Sequence, residues 1–585
     1  MYLAWCRGYA PEEVVRLLKL LAKNPLPLSV EKYVRDHTNN FTYYRATMTL
    51  KNKQYCVQSV NREVLEKLLR NSSVRDLVPH STKLQEVTTS LGEITYNFPI
   101  NSGASEKVKK VCRDLGISLI DEFDFANVPN LPSIKIDMKA TTLVRFYQEF
   151  AVSRLFWNGF KCHSGILVLP CGAGKTLIGI NVVAALKKPC IIYCQSILAV
   201  TQWRDQLLRW TTINENSVSR FSASFPTEWN AGADVIVTTY GMFSTTKRSD
   251  NAHTMMDNIK EREWGLMLLD EVHLVPAKIF RKVTNQIRSH IKLGLTATMV
   301  REDELIADLP HLVGPKLYEL DIFTLRMHKY ISPVECVELH CSMTDSFMRA
   351  YSASKSKEEE QLLYSTNPNK TRVVWSLINY HIEKKHRIMV FCDNLFCLEF
   401  YTSIIKRDKI DGNTTQDERS RILRKFRETA GECILFSQVG DQSIDLPEAD
   451  VVIQVALMHG GRMQEGQRIG RIQRYQEEKA TGYFYSLVSD GTREVKFAKK
   501  RRNFLQDHGY TIKREKGEAY KKYLTDLEHL TNEDMQQKII GAVQNELKKR
   551  EAERTNGKQT QETSKKRKKV DDTKKEVSKR IKRVK

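Results

Sequence analysis

What the chain lacks narrows its reading first. No stretch of its 585 residues approaches the run of about 18 to 20 apolar residues needed to cross a bilayer, so a membrane-spanning role is not expected. The opening MYLAWCRGYAPEEV has neither a basic start nor a long apolar segment, which speaks against a secretory leader and for a soluble, unsecreted protein. Twelve cysteines are scattered without a single C-x-x-C pair. Cys190/Cys194, Cys336/Cys341 and Cys392/Cys397 fall in or beside strand-like runs, so reduced core thiols are expected, with no zinc site and no iron-sulfur cluster. The first hundred residues hold no catalytic constellation.

What is present is length and positive charge. A chain this long exceeds one ordinary core, and roughly three or four domains are expected. The formal net charge is +22; residues 546–585 contribute +10 of it, and +12 remains elsewhere. Basic charge spread over body and tail attracts phosphate backbones without specifying their sequence, which points to a polyanion as the class of partner.

Pattern changes mark the domains. Residues 1–100 read as an α+β unit: an amphipathic helix in EEVVRLLKLLAK, an alternating hairpin in TYYRATMTLKNKQYCVQSV and a helix in REVLEKLLR. Residues 101–140 read as a linker that carries one helix, GASEKVKKVCRDLG, before the polar, proline-containing FANVPNLPSIKIDMK. From 141 to 325 short apolar strands (GILVLP, CIIYC, DVIVTTY, GLMLLDE, KLGLTAT) alternate with helical stretches, which predicts a parallel α/β sheet. A second such set, RIMVFCDN, GECILFSQV, ADVVIQVA and GYFYSLV, occupies 326–513, with a polar helical insertion near 345–369. A helical extension over 514–555 and a disordered basic tail over 556–585 complete the reading.

Three motifs carry chemistry. GILVLPCGAGKT has the strand, loop and helix order in which backbone N–H groups and a helix N-terminus converge on phosphates. Gly172 and Gly174 allow the turn, Lys175 suits the outer phosphates, and the Thr176 hydroxyl suits Mg²⁺. The first glycine of the general phosphate-loop pattern is absent, because Leu169 stands there. Downstream, GLMLLDEVH delivers two adjacent carboxylates at a strand end: Asp270 for the Mg²⁺ shell and Glu271 to orient and deprotonate the attacking water. In GRMQEGQRIGRIQR, Arg468, Arg471 and Arg474 recur at helical spacing, so Arg471 and Arg474 share a face with Gln467 and are candidates for contact with a γ-phosphate.

The order RFYQ, GAGKT, VIVTTY, DEVH, TAT, VGDQSIDLPEAD and QRIGRIQR resembles a superfamily 2 helicase, more narrowly the XPB family, the xeroderma pigmentosum group B helicases of the transcription and repair factor TFIIH. The resemblance implies two tandem RecA-like domains with a small α+β amino-terminal domain and a thumb-like insertion that contacts DNA. It makes Leu169, Pro170, Cys171, Gly172, Ala173, Gly174, Lys175 and Thr176 the ATP loop, with Gln148 recognising adenine and Arg145 and Tyr147 supporting it. It further implies coupling roles for His273, Thr296, Thr298, Gly440 and Asp445, strand contacts by Gln202, Trp203 and Thr239, and duplex opening by Arg301, Glu302 and Asp303. For Trp203 the residues themselves allow core packing equally well. Residues 33–71 resemble the family's damage-recognition-like domain, while the extension that anchors XPB in TFIIH is expected to be missing or reduced. The cluster Lys565, Lys566, Arg567, Lys568 and Lys569 is similar to a nuclear import signal.

The expected activity is an ATP-dependent, Mg²⁺-requiring DNA helicase or double-strand translocase of 3'-5' polarity, nuclear, acting on double-stranded or forked DNA with TFIIH core subunits. A shorter paralogue working in repair outside TFIIH, a catalytically silent scaffold and an RNA motor stay open as alternatives.

Overall fold

The computed structural model describes residues 11–552 apart from 44, 81, 89–91, 93, 129, 158–159, 245–248, 275–276, 298–308, 393, 438–448, 457–461 and 474–480. They form two compact units that divide between Ile331 and Ser332. Among the described residues no helix is long and apolar enough to cross a membrane. None of the described cysteines is in a disulfide, and all but Cys171 are buried.

The first unit begins with a sheet of β1 Arg45–Lys51, β2 Gln54–Ser59, β3 Gln85–Thr88, β4 Ile94–Pro99, β5 Ser118–Asp124, β6 Phe156–Trp157 and β7 Lys161–His163, in the order β3-β4-β2-β1-β5-β7-β6. The expected hairpin is β1 with β2, closed by Asn52 and Lys53, both at positive φ (47° and 64°) as a tight turn between right-twisted strands requires. The helices Arg62–Arg70 and Ser105–Asp114 bury Val64, Leu65, Leu68, Val108 and Cys112 against Met48, Val57 and Phe98.

The span expected to be a linker is corrected here. Its helix Ser105–Asp114 is the crossover that lets β5 pair in parallel with β1, so the domain runs well past residue 100. β6 and β7 then extend the same sheet from within the span assigned to the first parallel domain. The stretch after β5 is not a loose tether either: Leu131, Ile134 and Ile136 are buried, Ile134 N–H donates to Lys187 O at 2.9 Å and Lys139 N–H to Trp210 O at 2.9 Å.

A buried charge cluster ties this sheet to the next. Asp121 of β5, 4% exposed, lies 2.6 Å from Lys109 Nζ and 3.7 Å from Lys292 Nζ, both ammonium groups being as deeply buried. Burial alone would raise the Asp121 carboxyl, but the two ammonium groups more than offset it and hold its pKa below the ordinary carboxylate value. Close by, Tyr55 O–H donates to Ser289 O at 2.9 Å and accepts Ser289 N–H at 3.2 Å.

The second sheet of this unit is wholly parallel: β8 Gly165–Val168, β9 Cys190–Cys194, β10 Val218–Phe221, β11 Val235–Thr239, β12 Glu263–Leu269, β13 Arg288–Thr296 and β14 Lys316–Glu319, in the order β10-β11-β9-β12-β13-β8-β14. The chain leaves β8 for β9 across two intervening strands, and the carboxyl ends at such a crossing form the crevice where ligands bind in open α/β sheets.

The second unit repeats the plan with β15 Val334–Cys341, β16 Ile388–Phe391, β17 Asp408–Ile410, β18 Cys433–Phe436, β19 Val451–Gln454, β20 Gly482–Ser489 and β21 Ile512–Glu515, again all parallel, in the order β17-β18-β16-β19-β20-β15-β21. The insertion near 345–369 is helical, as expected, in Asp345–Ser352 and Lys357–Ser365. It is no solvated connector: Phe347, Leu362 and Leu363 enter the core beside Leu339 and Val390, and Lys370 pairs with Glu494 at 2.8 Å with both side chains fully buried. Nor is the extension detached, because Tyr520 and, on the helix over 533–552, Ile539, Ile540 and Val543 join that core. The residues expected to form the disordered tail, with Lys565, Lys566, Arg567, Lys568 and Lys569, lie outside the described residues.

One buried histidine gives this unit a pH dependence. His340, 1% exposed, sets Nε2 2.7 Å from Glu338 Oε1 and Nδ1 2.6 Å from Asp490 Oδ1. Arg502 and Arg514 also donate to Glu338, at 2.6 and 3.2 Å, and Lys516 stands 4.0 Å from Asp490. Burial pulls the imidazole pKa down, but the two carboxylates more than offset it and raise it above 6.5. The stabilisation is therefore complete below the unfolded value and lost as pH rises through the raised folded one. Thermal melts of the full chain across neutral to mildly alkaline pH should show this loss, and His340→Gln should flatten it.

Candidate active site at the carboxyl ends of the first parallel sheet

The phosphate loop leaves β8 at Leu169, which is fully buried and whose N–H donates to Thr296 O at 2.9 Å. The Leu169 side chain is therefore core at the base of the loop. Ala173 N–H closes a turn on Pro170 O at 3.1 Å, with Cys171 half-buried between them and Gly172 at φ 86°. Gly174 caps the helix Lys175–Leu186 at φ 75°, and a Cβ there would stand 2.6 Å from Gln148 Nε2. Glycine is required twice over, by conformation and by space. The helix then presents Lys175 and Thr176 in its first turn.

Gln148 is anchored by its neighbours. It is 4% exposed, donates from Nε2 to Ala173 O at 3.2 Å and accepts Arg145 N–H on Oε1 at 2.9 Å. Tyr147 O–H donates to the same Ala173 carbonyl at 2.9 Å. The Arg145 guanidinium donates to Tyr330 O at 2.9 Å and lies 5.0 Å over the Tyr330 ring.

The two carboxylates follow β12. Asp270 N–H continues the ladder to Tyr193 O at 2.9 Å, and Glu271 then turns through φ 46°, a left-handed conformation uncommon for a residue with a side chain. That turn sets Glu271 Oε1 3.3 Å from Lys175 Nζ and Oε2 3.4 Å from His273 Nδ1. His273, itself buried, is 2.5 Å from the Oγ1 of the fully buried Thr296. A continuous polar chain thus runs Lys175, Glu271, His273, Thr296.

Charge follows from this geometry. Burial raises the Asp270 pKa first and the neighbouring Glu271 charge adds to it, to about 6, against the lowering effect of the Trp203 N–H. Burial would raise Glu271 too, but Lys175 and His273 more than offset it and hold it below the ordinary value. Lys175 is raised in turn, the carboxylate outweighing the desolvation that opposes its charge. The Lys175–Glu271 pair is therefore ionised at neutral pH.

Several expected roles change or stay open. Trp203, expected as a strand contact, is corrected: it is 2% exposed and its indole Nε1 donates to Asp270 Oδ2 at 2.9 Å, so no base can stack on it. Gln202 is half-buried, and Thr239 accepts Met242 N–H at 3.4 Å at the start of the next helix. In the second unit, Arg468 is 2% exposed with its guanidinium 4.3 Å over the Phe391 ring, and Arg471 lies half-buried near the end of the helix Arg462–Ile472 that also holds Gln467. Arg474, Thr298, Arg301, Glu302, Asp303, Gly440 and Asp445 lie outside the described residues. What reading by motif missed was the Trp203 bond; a glycine inside the helical run TLIGINVVAAL was the available signal for it, as a Cβ at Gly179 would stand 2.7 Å from the Trp203 ring.

Hard oxygen donors at Thr176 and Asp270, beside a lysine and a helix N-terminus, fit Mg²⁺ and phosphates. Residues 142–301 match the model of the type III restriction enzyme res subunit, and residues 325–574 match that of the ERCC3/RAD25/XPB C-terminal helicase. The TFIIH helicase/translocase subunit XPB of Antonospora locustae is 39% identical over 518 residues, spanning 88% of this chain and 74% of that protein. This chain belongs to the XPB family. XPB of Schizosaccharomyces pombe is 37% identical, spanning 88% of this chain and 69% of its own. Among solved structures, the Pyrococcus furiosus Hef helicase domain is 15% identical at a TM-score of 0.42, over 61% of this chain and 98% of that one. The two parallel sheets are the two RecA-like helicase domains.

Proposed function

We propose that this XPB-family chain uses ATP hydrolysis to translocate along double-stranded DNA and open it, with 3'-5' polarity, in transcription initiation and nucleotide excision repair as a nuclear subunit of TFIIH. The observation that carries the reading is the polar chain from Lys175 through Glu271 and His273 to Thr296, which joins the phosphate loop to the strand end behind it. The relatives' shared name as TFIIH helicase/translocase subunits supports the choice of complex.

In this reading Lys175 holds the outer phosphates, Glu271 orients the attacking water and receives its proton, and Gln148 and Arg145 recognise the adenine. Thr176 and Asp270 would hold Mg²⁺, which when bound neutralises phosphate charge. His273 and Thr296, with Thr298, Gly440 and Asp445, pass the change at Glu271 to the rest of the motor. Arg471 and Arg474, on the face with Gln467, would stabilise transition-state charge; Gln202 and Thr239 would touch the strand; Arg301, Glu302 and Asp303 would separate the duplex. The Lys565–Lys569 cluster would direct import.

A divided pair of variants tests this. Lys175→Ala is expected to abolish ATP turnover, whereas Arg301→Ala should retain basal ATPase and lose strand separation on a forked duplex. Equal loss of both activities in a folded Arg301→Ala protein would remove the division of labour. Affinity purification from the native cells should recover the TFIIH core; its absence would favour a paralogue acting in repair alone.

A further inference from the structure

We propose that Trp203 is a positioning residue that fixes the Asp270 carboxylate for the metal and sets its spacing from Thr176. The inference rests on the reading of Thr176 and Asp270 as the Mg²⁺ ligands and goes beyond it by assigning what holds them.

Trp203 sits on the helix Ile197–Trp210, whose start is fixed by Ser196 accepting Ala199 N–H at 3.2 Å. Its indole spans two elements. At one end Nε1 donates to Asp270 Oδ2 at 2.9 Å; at the other, the ring rests over Gly179 of the phosphate-loop helix, where a Cβ would meet Cη2 at 2.7 Å. Gly179 lies three residues after Thr176, hence on the same face of that helix one turn along. The indole is thus a spacer between the helix bearing one proposed ligand and the strand end bearing the other.

The carboxylate is held at both oxygens. Oδ1 accepts Glu271 N–H at 3.0 Å while Oδ2 accepts the indole N–H, and Tyr240 O–H, donating to the Asp270 carbonyl at 2.9 Å, steadies the backbone behind it. Each oxygen keeps lone pairs that the two N–H groups do not use, and rotation about Cβ–Cγ would break both bonds. Removing the indole N–H frees the carboxylate to turn and leaves the metal to pay for ordering it. Outer-shell donors of this kind change metal affinity by about 10- to 100-fold.

Calorimetric titration of ADP into the full chain, with Mg²⁺ and with EDTA, tests the assignment apart from catalysis. Trp203→Phe keeps a buried aromatic and deletes only the donor ring. It is expected to lose about 10- to 100-fold of the Mg²⁺-dependent gain in affinity, with the EDTA affinity unchanged. Gly179→Ala, which retains the donor and crowds the ring along with Leu268 and Leu295, should lose the same gain, and it serves where Trp203→Phe does not fold. An unchanged gain in both variants, or an equal loss with and without Mg²⁺ alongside a lower melting temperature, overturns the role, since packing alone would then explain the residue. Absence of any Mg²⁺-dependent gain in the wild type would instead overturn the reading of Thr176 and Asp270 as ligands.

Discussion

Glu271→Gln should bind ATP and hydrolyse it about 10²- to 10⁴-fold more slowly than the wild type. Glutamine keeps the shape and the contact distance to Lys175 but cannot take a proton, so the loss falls on the chemical step. Glu271 is placed for the proposed base role by geometry: its carboxylate faces Lys175 at 3.3 Å and His273 at 3.4 Å, beside the phosphate loop. Asp270, whose two oxygens already accept the Trp203 and Glu271 N–H groups, is less free to take up a proton. Steady-state ATPase measured beside calorimetric ATP binding separates the cases. Turnover within tenfold of wild type would remove Glu271 from the proton-transfer role, and loss of binding would show that its charge is needed to hold Lys175.

The second large effect lies far from the nucleotide. Asp121→Asn is expected to destabilise the first unit by about 3 to 5 kcal/mol, because it leaves the buried ammonium groups of Lys109 and Lys292 without their counter-charge. Chemical denaturation followed by tryptophan fluorescence measures it. By contrast, Glu66→Ala removes the exposed pairs to Arg62 and Arg70 and should shift stability by at most about 1 kcal/mol. A triple replacement of Asp121, Lys109 and Lys292 by apolar residues of matching volume should recover much of the loss, since buried ion clusters are seldom better than a well-packed apolar core. An Asp121→Asn protein as stable as wild type would mean that water reaches the cluster.

Local order was legible where chemistry is contiguous. GILVLPCGAGKT is β8, loop and helix in one run, and GLMLLDE is the end of β12 with its two carboxylates just beyond, so strand and loop could be read together. The runs CIIYC, DVIVTTY and KLGLTAT likewise fall on β9, β11 and β13. What was not legible has a different property. VECVELHC is β15, as its strand-like run suggests, but its glutamate and histidine are buried because Glu338 and His340 find partners on elements 150 and more residues away. SLIDEFD became β5 although it lay in an expected linker, because its partner β1 lies some 70 residues back across a parallel crossover.

Trp203 shows the same division within one side chain. TQWRDQLLRW announces a helix, but a tryptophan among polar neighbours leaves undecided which way the ring faces; only the approach of Gly179 and the Asp270 carboxylate puts it inside. The sequence by itself determined the order of the motor's parts, the phosphate loop, the paired carboxylates and the α/β class, because each depends on residues close along the chain and on hydrophobic period. The tertiary structure alone decided which charges are buried together, how far the first sheet extends and which donor holds Asp270. Those depend on pairings between distant segments, whose gain appears only when desolvated partners meet, and no local pattern records it.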